Sequence, residues 1–92
     1  MTRYIYLPIR RCWLGMIKQG LKNEEYRAIK RRNWLQFQKV NKWLSSGDEV
    51  VIRFHCYRGT EHEARINSAR IGRGNTALGA PENEYVFIYE LS

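Results

Sequence analysis

The sequence predicts a single α+β domain over residues 1–92, with elements in the order β-α-β-α-β-β-β. Three observations carry this. Apolar residues recur at helical spacing in two early segments, the hydrophobic period changes to two from residue 50 onward, and Gly, Pro and Ser-Ser-Gly-Asp punctuate the boundaries. A chain of 92 residues supports one core, to which its three Trp, six Tyr and three Phe must contribute heavily.

RYIYLPI (3–9) is rich in aromatic and β-branched residues and stops near Pro8, as an opening strand would. Ile9, Trp13, Met16 and Ile17 then mark a short helix over about 10–19, with Gly20 where a left-handed terminator belongs. Residues 22–29 are open on propensity. Lys, Glu, Arg and Ala favour helix, whereas Gly20 and the Tyr26/Ala28 alternation favour a strand, the reading preferred here. RRNWLQFQKVNKWL (31–44) places Trp34, Phe37, Val40 and Leu44 on one stripe, giving a second helix that ends at SSGD. VVIRFHCY (50–57) alternates strictly, and strands around 62–71 and at EYVFIYEL follow. Between the last two lies IGRGNTALGAPENE, too long for a tight hairpin and expected to be a packed or functional loop.

Charge is distributed unevenly. Residues 1–44 hold eleven Lys/Arg against two Glu, a net +9, and residues 45–92 hold five Arg against seven acids, a net −2. A basic first half favours a polyanionic partner, nucleic acid before membrane; a merely solubilising surface is the alternative. No apolar run approaches the length of a membrane span, and MTRYIYLPIRR lacks the apolar segment and cleavage site of a secretory signal. The expectation is a cytoplasmic protein with Cys12 and Cys56 as free thiols.

Two clusters invite a functional reading. In GLKNEEYR (20–27), an extended backbone puts Asn23, Glu25 and Arg27 on one face, with Tyr26 and Ala28 on the other, pointing to the core. Lys22, Glu25 and Arg27 could then converge to bind an anion or a base edge, or to lower the lysine pKa for base or nucleophile chemistry; an exposed charged turn is the alternative. KRRNW puts Lys30, Arg31 and Arg32 at a helix start, where positive charge opposes the helix dipole. Phosphate contact or a solvated face would account for it. His55, Cys56 and His62 lack ligand geometry, so no metal or other cofactor is expected. Gly72-Arg73-Gly74 has no βαβ context for a dinucleotide site, and a tight turn beside the cleft fits better.

Gly20, Lys22, Glu25 and Arg27, spaced Gly-x-Lys-x-x-Glu-x-Arg after a short apolar helix, resemble the signature of the ASCH domain, a relative of PUA and EVE domains. YLPIRRCWLGMIKQG is similar to that family's first strand and helix, and IGRGN with GAPENEYVFIYEL resembles a small bacterial and phage-type subgroup. The resemblance implies a PUA-like β-barrel of about five or six strands with two packed helices, and reads 22–29 as a strand. It also implies a cleft lined by Lys22, Glu25 and Arg27 that binds RNA or a nucleotide; in the binding reading preferred here Tyr57 or Arg73 adds to that cleft, and DNA is the alternative partner. Some small relatives hydrolyse N4-acetylcytidine with the signature lysine, a threonine three residues later and a downstream glutamate. This chain has Glu25 at the threonine position and Glu63 as a candidate downstream carboxylate. If it were an enzyme, Lys22 and Glu25 would be catalytic, although a paired carboxylate is expected to raise the lysine pKa. A third expectation is a protein-interaction module or inhibitor of phage type.

Overall fold

A computed structural model describes residues 1–56, 59 and 61–92. Alternation builds β1 (Thr2–Pro8), which buries Ile5 and Leu7 and leaves Tyr4 and Tyr6 exposed. Pro8 falls at the strand's last position, where a missing N–H is tolerated. Helix α1 (Arg11–Lys18) buries Leu14 and Ile17 and ends at Gly20, whose φ is +76°. There the Gly20 N–H donates to Ile17 O at 3.1 Å and the Leu21 N–H to Met16 O at 2.9 Å, the paired bonds of a left-handed helix stop.

The open segment is a strand, β2 (Glu24–Ala28). Helix α2 (Arg31–Ser45) follows, then β3 (Glu49–His55), β4 (Glu61–Gly72), a 3-10 turn at Thr76–Leu78 and β5 (Val86–Leu91). Among the described residues, element order thus follows the order read from the sequence.

The five strands form one mixed sheet in the order β1-β3-β4-β5-β2. Of its strand pairs, β1 with β3 is the parallel one, because the connection between them carries α1, β2 and α2. Long β4 joins the two halves: residues 61–65 pair with β3, and from Ile66 onward the strand pairs with β5. A register shift between Ile66 and Ser68 marks the change, as a bulge bends a strand between two partners.

The sheet does not close. Among the described residues, no backbone ladder joins the edge strands β1 and β2, so the complete barrel implied by the resemblance is not formed by strand pairing. A side chain spans the gap instead: Arg27 Nη2 on β2 donates to Pro8 O at the end of β1 at 2.7 Å.

The core lies between the sheet and the helices. Val40, Val50, Ile52, Phe54, Phe87 and Tyr89 are buried completely, and Phe37 of α2 stacks on Phe87 of β5 with ring centroids 4.6 Å apart. Each buried aliphatic or Phe side chain contributes about 1.5–3 kcal/mol of transfer free energy. Trp34 extends the stack and remains partly exposed. Among the described residues, no helix is long and apolar enough to cross a membrane.

Candidate functional site

The helix stop at Gly20 explains the Gly-x-Lys spacing. Once the chain reverses there, the Lys22 N–H reaches Met16 O at 3.2 Å, and the lysine side chain turns inward, 2% exposed. Its Nζ donates to Leu78 O at 2.7 Å and lies 4.4 Å from the centre of the Tyr26 ring and 5.5 Å from that of Trp13. Three residues on, Glu25 places Oε1 at 3.7 Å from Lys22 Nζ, an ion pair longer than a hydrogen bond. The other carboxylate oxygen accepts from Arg27 Nη2 at 2.8 Å, and Oε1 accepts from the Tyr26 N–H at 3.2 Å. Glu25 is held between the two cations.

These three side chains line one cavity of about 260 Å³ along the unpaired edge of β2, together with residues at the end of β1, Trp13 of α1, and Leu78 and Gly79. The β4–β5 connection roofs it. Asn75 accepts through its side chain from the Ala77 N–H at 2.9 Å, and the Asn75 N–H donates to the Tyr26 hydroxyl at 3.0 Å. Gly74 is required by this closeness, since a Cβ there would stand 2.5 Å from the Tyr26 ring. The Gly-x-Gly segment therefore acts in packing.

The facing of β2 differs from expectation. Alternation directs Tyr26 and Ala28 to the core, yet Glu25 is buried opposite Tyr89, Tyr26 is half-buried beneath the roof, and Ala28 is exposed. The polar face points inward because Lys22 and Arg27 satisfy the carboxylate there. For the lysine pKa, the lowering influence prevails over the raising one. Desolvation lowers it, and the raising effect of Glu25 only partly offsets that shift.

Among the described residues, two further buried polar groups lack a hydrogen-bond partner within the protein, Arg27 Nε and the Tyr89 hydroxyl. Burial pushes the Tyr89 phenol up to about 12, with Arg27 opposing the shift. Neither Trp13 nor Tyr89 stands out in the sequence as a site residue. Both read as core aromatics, and only their position against Lys22 and Arg27 distinguishes them.

The remaining expected site residues lie elsewhere. Arg73 does not line the cavity, because its guanidinium sits over the Tyr85 ring at 5.4 Å. Tyr57 lies outside the described residues. Glu63 shares a separate depression of about 120 Å³ with Lys22, but its carboxylate is engaged by Arg53 at 2.7 Å, whereas the Lys22 ammonium meets Glu25 and Leu78 O. Lys30, Arg31 and Arg32 are exposed at the start of α2, whose first turn holds no acidic residue. Arg31 and Arg32 line a neighbouring groove between α2 and β1.

Comparison of the chain with protein-family models, curated proteins and solved structures gives no match.

Proposed function

We propose that this protein is a nucleobase-recognition module of ASCH or PUA-like type, in which the open five-stranded sheet is a barrel joined across its gap by Arg27. RNA or a nucleotide is the ligand class. The observation that carries the reading is that Lys22, Glu25 and Arg27 line one cavity, beside the basic start of α2. With Lys22 protonated, the three charges sum to +1, which suits the carbonyl-rich edge of a base. Glu25 retains acceptor capacity for an exocyclic amine, and the Arg27 fork orients the ring. The unpartnered Arg27 Nε supports this reading, since Arg27 lines the cavity and an orphaned buried group, at a cost of about 1–3 kcal/mol, calls for an explanation such as a bound ligand. Lys30, Arg31 and Arg32 supply phosphate contacts. Arg27→Ala is expected to weaken binding of one preferred base about tenfold, relative to the others, in a titration against the four nucleoside monophosphates. Equal binding of all four by both proteins would refute base recognition.

A second reading draws on the buried Lys22 amine, which faces the cavity beside Glu25 and whose pKa burial lowers, in the direction a base or nucleophile acting on N4-acetylcytidine requires. Glu25 would be its carboxylate partner, since Glu63 is held by Arg53. Chromatographic assay of acetylcytidine turnover tests it, and a rate no higher than that of Lys22→Ala removes it.

A further inference from the structure

A groove of about 620 Å³, more than twice the volume of the cleft, lies beside it and runs between α2 and edge strand β1. Tyr4 and Tyr6 line one wall, and Arg31, Arg32 and Lys39 of α2 line the other. A second depression of about 240 Å³ shares Tyr6 and Arg32 with this groove and shares Pro8 and Arg27 with the cleft. Arg27, hydrogen-bonded to Pro8 O at 2.7 Å, therefore stands at the junction between the depression and the cleft, and the three adjoining depressions lie in series as a channel from the α2 surface toward Lys22.

The channel's charge is one-sided. Among the described residues, no carboxylate lines either depression, and Arg31, Arg32 and Lys39 make no ion pair. On the sheet, by contrast, Arg53, Arg65 and Arg70 are paired with Glu63, Glu49 and Glu24. The channel wall also offers flat apolar surface. Tyr6 is 57% exposed, and Arg53 lies 5.6 Å from its ring centre, a cation–π contact that orders the side chain.

We infer that this channel is the track of a single-stranded nucleic acid, several nucleotides long, whose phosphates meet Arg32 and Lys39 and whose bases stack on Tyr6 before one base enters the cleft. Unneutralised cations beside exposed aromatic rings are the combination that holds single strands, because stacking requires unpaired bases and phosphates reward clustered positive charge. A duplex keeps its bases stacked on each other and gains only the charge. The inference rests on the base-recognition reading for the last nucleotide alone; the track stands on its own geometry.

Fluorescence polarisation tests it with a labelled RNA of about 12 nucleotides, the same sequence as DNA, the corresponding duplex, and free nucleoside monophosphates. Either single strand is expected to bind at least tenfold more tightly than the duplex. Tyr6→Ala should weaken the strand at least fivefold, the lower end of stacking losses. Arg32→Ala with Lys39→Ala should lower the slope of log affinity on log salt by about 1.4, two single-strand phosphate contacts. All three positions are exposed, so the fold tolerates these changes. A preference for RNA over DNA would assign the 2′-hydroxyl a role, and equal binding would assign recognition to base and phosphate; both agree with the track.

The track is overturned if the duplex binds as tightly as the strand, if both groove variants bind unchanged, or if polyglutamate mimics the strand and shares its groove dependence. Mononucleotide binding that depends on Arg27, with a strand that binds no tighter, would sink the track and keep the cleft. Strand binding that depends on Tyr6, with Arg27→Ala indifferent to base identity, would keep the track and sink the cleft reading.

Discussion

Lys22 is the residue on which the site turns. Its ammonium is desolvated beneath the loop, and Glu25 restores only part of what burial removes. Glu25→Gln should therefore lower the Lys22 pKa further, as NMR titration of the lysine side-chain resonances would reveal. Because the folded pKa lies below 10.5, the unfolded chain binds more protons between the two values, and the contribution of Lys22 to stability rises with pH across that interval. Tyr89 has the opposite sign. Its folded pKa of about 12 exceeds the ordinary 10.0, so the unfolded phenol ionises first and stability falls as pH climbs from about 10. Tyr89→Phe should abolish that loss, and at neutral pH it should stabilise the fold by about 1 kcal/mol, because the buried hydroxyl has no partner within the protein. Urea unfolding of both proteins at neutral and alkaline pH checks the two effects together.

At the scale of elements, glycines give the sharpest contrast. A Cβ at Gly74 would stand 2.5 Å from the Tyr26 ring and 2.7 Å from Ala80, so Gly74→Ala should cost roughly 1–3 kcal/mol and loosen the roof over Lys22. Gly15 lies inside α1, where an added methyl would meet nothing within 4 Å, and Gly15→Ala should gain about 0.5–1 kcal/mol. Thermal unfolding of the pair separates packing from propensity. The order of elements was legible because periodicity reports burial, and Gly20 marked the stop of α1 that delivers Lys22. The facing of β2 was legible in part: alternation put Glu25 and Arg27 together on the cavity, but it did not reveal the turn of Tyr26 and Ala28 away from the core. The usual rule turns Tyr26 and Ala28 inward, and it fails where a strand faces a polar cleft instead of an apolar core. Leu78 was equally hidden, since its backbone oxygen meets a lysine 56 positions away, a contact no local pattern encodes. Trp13 followed the helical stripe, and its role beside Lys22 emerges only once the roof is in place.

Across the whole molecule, charge is sorted by layer. Arginines on the sheet are tied to carboxylates, whereas Arg31, Arg32 and Lys39 of α2 make no ion pair among the described residues. That sorting turns the +9 of the first half into a directed field beside the cleft. Binding of a nucleic-acid strand should accordingly fall steeply with salt, with log affinity linear in log salt concentration. The unclosed sheet has a consequence as well. Arg27 links the two edges, so Arg27→Ala should cost about 1–3 kcal/mol in urea unfolding by freeing Pro8 O and leaving Glu25 with only Lys22 and the Tyr26 N–H. The most direct test of base recognition is an amide and indole NMR titration with the four nucleoside monophosphates. Shifts concentrated at residues 22–27, at Leu78 and Gly79, and at the Trp13 indole, strongest for one base, are the predicted result. Shifts absent from those positions for every base would contradict the account.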